Sequence, residues 1–347
     1  MPKYNYGGQA VIEGVMMRGR HTASVALRRS SGEVLVHEEQ LNPRLYGNKV
    51  AQWPFVRGLL LLWDMLILGT RMMRFATNIY IQDEMSASEA AQKSQGDQQA
   101  MPDASGAPAV STTSATSSMS STSSAVVEAT ATQMSGIGGA GLAVTLIFSL
   151  AIAIGLFFLL PLGAVGLVQR IFGFGSGWWS LIVEGLIRLA LLVGYLAAIG
   201  RLASIQRVFE YHGAEHKTIN AYEAGDPLDV EHVRRASRVH TRCGTGFLLI
   251  VVVLSIFVFA LLGHPPLPLL ILSRILLVPV IASIAYELMR LGATYYRYPV
   301  VRWLMAPSLA LQGLTTREPD DRQIECAIVA LERILKSDGV SVLERVA

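Results

Sequence analysis

The stretch Glu210-Tyr211-His212-Gly213-Ala214-Glu215-His216-Lys217 lies between two long apolar runs, 178–200 before it and 244–263 after it. A second polar cluster, His240-Thr241-Arg242-Cys243, abuts the start of the later run. Each run is long enough to cross a bilayer, at about 1.5 Å per residue over a hydrocarbon core of about 30 Å. Polar clusters held against the ends of such runs belong where membrane meets water, so the fold is that of a polytopic helix bundle. Composition agrees: of 347 residues, 52% are hydrophobic and only 16% charged, a balance soluble domains of this length seldom show. Two further runs, 143–168 and 267–291, bring the expected spans to about four.

Orientation follows from the loops. The connection 201–242 carries Arg201, Arg207, Lys217, Arg234, Arg235, Arg238 and Arg242, whereas the connections on the other side, around Gln169-Arg170 and 263–266, offer one arginine. The positive-inside rule then puts both termini and the motif loop in the cytoplasm, with the protein multi-pass in the inner membrane. A formal charge of +3, with the arginines beside apolar runs and no separate basic patch, argues against a nucleic-acid partner and for the lipid bilayer. No apolar stretch follows Met1-Pro2-Lys3-Tyr4 directly, so insertion is expected to use an internal segment. The two cysteines, Cys243 and Cys326, both fall on the cytoplasmic side, where a disulfide is not expected.

On a helix, His212 and His216 stand one turn apart on one face with Glu215 beside them, the spacing that offers two imidazoles to one metal ion. The string H-x-x-E-H is also the inverzincin pattern, in which the glutamate is the general base. His240, Cys243 and Glu223 are candidates for the remaining ligands, with Cys243 expected to converge on the two histidines, and nitrogen with sulfur donors suits zinc among divalent metals. The competing account makes these histidines polar caps of membrane helices, hydrogen-bonded among themselves, with Glu215 paired to a nearby arginine.

The flanking regions divide by composition. Residues 1–50 read as a small cytoplasmic β unit: an apolar opening strand over 9–17, then a hairpin turning at Ser30-Ser31-Gly32. Glu13 interrupts that apolar opening as a ligand, a partner of Arg18 or a solvated turn residue. Residues 51–85 hold a Leu-rich helix over 55–76 broken by Arg57, Asp64, Arg71 and Arg74, read as amphipathic and interfacial. Residues 86–135 are rich in Ser, Thr, Ala and Gln and are expected to be a disordered linker. The bundle occupies 136–300 with its motif loop at 201–243. In 301–347, Ile324, Ile328, Leu331 and Leu335 recur at helical spacing, so a cytoplasmic amphipathic helix should pack on the β unit, capped by Thr316 or Asp320. Within the spans, Glu184, Arg188 and Arg274 are expected to cluster by contact of the second and fourth runs.

The motifs Gly7-Gly8-Gln9-Ala10-Val11-Ile12-Glu13-Gly14, Tyr211-His212-Gly213-Ala214-Glu215-His216-Lys217, Arg242-Cys243-Gly244-Thr245, Tyr286-Glu287 and Leu314-Thr315-Thr316-Arg317-Glu318-Pro319 together resemble the YqhQ-like family of bacterial and plastid membrane proteins. The resemblance spans nearly all the chain outside the Ser/Thr linker, with departures at Thr241 and Gly246. It implies a multi-span inner-membrane protein described as a predicted metal-dependent enzyme without an established reaction. Two functions follow for test: a membrane-boundary metalloenzyme, hydrolytic in character, with Glu215 as base, or a non-enzymatic membrane-protein assembly or scaffold protein with a structural metal site or none. Solute transport is disfavoured because no internal repeat is visible.

Overall fold

The computed structural model describes residues 6–41, 53–99, 160–173, 178–263 and 266–340, with scattered positions between 144 and 156. Strands β1 (Gly7–Val11), β2 (Gly14–Arg18), β3 (Thr22–Arg28) and β4 (Val34–Gln40) come first, followed by helices α1 (Val56–Gln99), α2 (Leu160–Phe172), α3 (Trp178–Ile199), α4 (Ala203–Ala224), α5 (Val230–Arg235), α6 (Gly244–Leu262), α7 (Leu267–Thr294), α8 (Pro299–Leu311) and α9 (Asp321–Ser337). The protein is mainly helical with one small antiparallel sheet, ordered β1-β2-β3-β4.

The segment 9–17, expected as a single strand, is two strands that reverse at Ile12-Glu13, with Val11 opposite Gly14. Glu13 takes a left-handed backbone, φ 55°, which costs a non-glycine residue about 1–3 kcal/mol. Its carboxylate holds the turn: both oxygens accept from Arg207, and one also accepts from Tyr211 Oη at 3.3 Å. Glu13 is therefore the partner of Arg207 and not of Arg18, whose guanidinium meets Asp64 at 3.3 Å. The hairpin at Ser30-Ser31-Gly32 is present between β3 and β4, with Gly32 at φ 88°.

Alternation of side chains lets this sheet bury both faces. On one, Val11, Met16, Val25 and Leu27 pack against Leu68, Met72 and Ala76 of α1. On the other, Val15, Met17 and Ala26 meet Tyr211 and Ala214 of α4 together with Ile324, Leu331 and Leu335 of α9. The expected union of the C-terminal helix with the β unit is thus present. Asp320 caps α9 through a capping box with Gln323, so Thr316 is not the cap. Helix α1 runs through Gln99, beyond the residue-86 boundary drawn for the linker; residues 100–135 lie outside the described ones. Its start is fastened to α7, where Glu287 accepts from the Arg57 guanidinium and from Phe55 N at 3.2 Å, and the Tyr286 ring lies against Gly58.

Among the described residues, three helices are long and apolar enough to cross a membrane, over Ser180–Ile199, Gly244–Leu262 and Pro268–Thr294. Of the expected span over 143–168, the continuous described part is the start of α2, and the count of four stays an expectation. Helix α6 packs against both α3 and α7. Glu184 joins them: it pairs with Arg188 at 2.6 Å and with Arg274 at 3.4 Å. The three charges cluster as expected, with Glu184 between two arginines, so α3 and α7 meet through these side chains while each also packs on α6.

Candidate metal centre at the end of the bundle

Helix α4 carries His212 and His216 one turn apart, with imidazole centroids 4.3 Å apart. Cys243 is the N-cap of α6, its sulfur accepting from Thr245 N at 3.4 Å, and Sγ lies 3.4 Å from His212 Nε2. One ligand atom from each of His212, His216 and Cys243 can be chosen so that all lie within 4.8 Å of one another. His212 is half-buried, whereas His216 and Cys243 are buried.

The orientation of both rings is set by main chain. His212 Nδ1 lies 2.8 Å from the Thr315 carbonyl oxygen and His216 Nδ1 lies 2.7 Å from that of Arg238. A carbonyl oxygen only accepts, so each Nδ1 donates, and in a neutral ring so held it is Nε2 that carries the lone pair. The same arrangement orients imidazoles in metal centres. Glu215, buried beside them, places Oε2 3.5 Å from His216 Nε2. No arginine pairs with Glu215 among the described residues. The Cys243 thiol, able to donate to His212 Nε2, thus stands with two imidazoles beside the Glu215 carboxyl group, side chains of the types that ligate a metal ion.

Two glycines admit the neighbours. A Cβ on Gly213 would fall on the Arg317 carbonyl oxygen, so only glycine there lets the segment 315–319 lie against α4, where Arg317 N donates to Phe209 O at 2.9 Å. A Cβ on Gly8 would stand 2.9 Å from Glu215 Cγ and 2.5 Å from Met16 O, so β1 approaches Glu215 only because Gly8 has no side chain.

His240 and Glu223 form an adjoining group. The His240 ring lies 5.6 Å from that of His216, centroid to centroid, and its Nε2 is 3.7 Å from Glu223 Oε2 with no hydrogen-bond partner among the described residues. Glu223 also accepts from Arg242. Burial works to raise its pKa, but the neighbouring His240 and Arg242 outweigh burial and hold it at about 2. Glu223 is thus a carboxylate already matched by a guanidinium, two turns of α4 beyond His216.

Sequence reasoning missed Gln312. Its buried amide clasps the His240 backbone, accepting from His240 N at 3.0 Å and donating to His240 O at 2.8 Å, which fixes the loop that delivers Cys243. The sequence offers Thr316 only as a helix cap and assigns Thr315 no role of its own. Thr315 Oγ1 instead donates to Thr245 Oγ1 at 3.0 Å and Thr316 Oγ1 to Gln312 O at 2.8 Å. Lys217 donates to Arg234 O at 2.7 Å and pairs with Glu318 at 2.5 Å. The signal available was the run 312–319 itself, polar and adjacent to a membrane helix.

Comparison with known proteins yields two matches. A family model described as "Protein of unknown function (DUF1385)" matches residues 53–337. The "Uncharacterized protein YqhQ" of Bacillus subtilis (strain 168) is 32% identical over 338 residues, covering 97% of this chain and 94% of that protein. No solved structure matches.

Proposed function

The chain belongs to the DUF1385 family of proteins of unknown function, and from that premise we propose that it is a metal-dependent enzyme of the membrane boundary, hydrolytic in character, with zinc held by His212, His216 and Cys243. The observation that supports this reading is the convergence of His212, His216 and Cys243, one ligand atom of each lying within 4.8 Å of the others, with both Nδ1 atoms held by main-chain carbonyls and His212 Nε2 3.4 Å from the Cys243 sulfur. Two imidazoles and a thiolate suit zinc, and three protein ligands are the number found in catalytic sites. When bound, such an ion supplies Lewis acidity toward a carbonyl or phosphoryl oxygen. Glu215 Oε2, 3.5 Å from His216 Nε2, is placed to accept a proton from a nucleophile and return it to a leaving group. Half-buried His212 is the approach for substrate, while α4, β1 and the segment 315–319 exclude water from the other sides. On this reading the site and both termini face the cytoplasm, as the loop arginines require.

The second reading, a closed site in a scaffold protein, is favoured by the closeness of Glu215 to His216, since a carboxylate there is able to serve as a fourth ligand. Metal content of the full-length protein, purified in detergent, separates the two. We expect about one zinc ion per chain, lost in His212→Ala and kept in Glu215→Gln. Loss of metal from Glu215→Gln as well would favour the closed site. Wild-type protein free of metal after purification from zinc-replete cells would defeat the metalloenzyme and leave a scaffold with no metal.

A further inference from the structure

At the end of the bundle opposite the His/Cys cluster, Glu184 Oε1 is shared between Arg188 at 2.6 Å and Arg274 at 3.4 Å. Glu184 and Arg188 are buried, and the Arg274 side chain is 12% exposed. The group therefore carries two guanidinium charges against one carboxylate, an excess of one positive charge. The rest of the bundle has no carboxylate to offer: between residues 143 and 200 Glu184 is the sole acidic residue, and between 243 and 286 there is none. A second copy of the chain would bring the same excess and cannot balance it.

One guanidinium edge is left over. Arg274 Nη1 is buried without a hydrogen-bond partner among the described residues, while the face of the same group lies 3.5 Å from the centroid of the Phe259 ring. Contact with an aromatic face satisfies the charge in part but gives the N–H nothing to donate to. The surroundings are lipid-facing: Leu272 and Ile275 on α7, Leu186 on α3 and Phe257 on α6 are exposed. Glu184 and Arg274 stand about 9–10 Å inside the starts of their helices at 1.5 Å per residue, within reach of the headgroup region for a side chain as long as arginine.

We propose that Arg274, held by Glu184 and Phe259 and flanked by Arg188, is a binding site for one phosphate-type oxyanion between α3, α6 and α7. A phosphate matches both requirements, one negative charge to restore neutrality and an acceptor oxygen for the unpaired Nη1. The source is a lipid headgroup or free phosphate.

Native mass spectrometry of the full-length protein in neutral detergent tests this, with added phosphatidylglycerol, added phosphatidylcholine or inorganic phosphate in separate arms. The wild type should hold about one phosphatidylglycerol per chain, and Arg274→Met should hold it roughly tenfold more weakly, the loss of one charge-assisted contact. Binding of inorganic phosphate without preference for the lipid, lost in Arg274→Met, would assign the site to free phosphate. If Arg274→Met does not fold, Arg274→Lys supplies the comparison, because it keeps the charge but loses the fork of donors, so retention should fall. Equal retention by wild type and Arg274→Met, or by wild type and folded Arg274→Lys, would overturn the proposal.

Discussion

An added methyl group at Gly213 has nowhere to go but onto the Arg317 carbonyl oxygen, and the segment it would displace carries the Thr315 carbonyl that orients His212. Gly213→Ala should therefore cost roughly 1–3 kcal/mol as an overpacked site and, on the proposed function, lower metal retention with it. Denaturant midpoints and metal content of the detergent-purified protein measure both; a variant unchanged in each would show that the approach of 315–319 to α4 is not tight. Cys326 is fully buried on α9. Burial pushes its thiol up from 9 to about 11, with the Arg28 guanidinium pulling the other way. Between those values the unfolded chain has lost the thiol proton and the folded chain keeps it, so stability falls as pH rises from about 9 to about 11, by roughly 3 kcal/mol in all. Burial also raises Tyr211, whose contribution has the same sign above its ordinary value of 10. Comparing the pH slope of Cys326→Ala with that of the wild type isolates the thiol. Parallel slopes would show that Cys326 is not the cause.

At the scale of elements, the three spans are joined by charge as well as by apolar packing. Each intramembrane charge costs roughly 2.5–3.5 kcal/mol on insertion scales, so Glu184, Arg188 and Arg274 are retained only because they meet. Glu184→Gln should destabilise the bundle, since it removes the carboxylate charge that both guanidinium groups share. Arg274→Met in that background should restore part of the loss, read as unfolding midpoints in detergent. Strict additivity in this double-mutant cycle would contradict the 3.4 Å contact between Glu184 and Arg274. Helix α1 shows a different division of labour. Its Leu-rich start looks interfacial in the sequence, yet Leu68, Met72 and Ala76 are spent on the sheet, while Trp63, Leu66 and Ile67 stay exposed. One helix thus closes the sheet and keeps an apolar face for lipid.

For the molecule as a whole, the sheet, α1, α4 and α9 gather at the end of the bundle where α3 stops and α6 starts, so the orientation proposed for that end applies to the site as well. Ser237 is exposed near it and Pro266 is exposed at the opposite end, while both native cysteines are buried and free. A cysteine placed by Ser237→Cys should label only from the cytoplasmic side and one placed by Pro266→Cys only from outside; the reverse pattern would turn the protein over, and labelling of both from one side would break the alternation of α6. The apolar runs, the helical spacing of His212 and His216, and the face of α9 through Ile324, Ile328, Leu331 and Leu335 were legible in the residues alone, because each is a pattern within a single element governed by its own period. Glu13 was legible as an anomaly but not as a partner of Arg207, since 194 positions separate the two. The meeting of Cys243 with His212 and His216 was expected from the sequence, with His240 and Glu223 as further candidates, and the three do lie together. How the 240–243 loop is held was decided only by the tertiary structure, because Gln312 and Thr315 lie some seventy residues on, and contacts between distant segments obey packing and hydrogen-bond satisfaction, not periodicity.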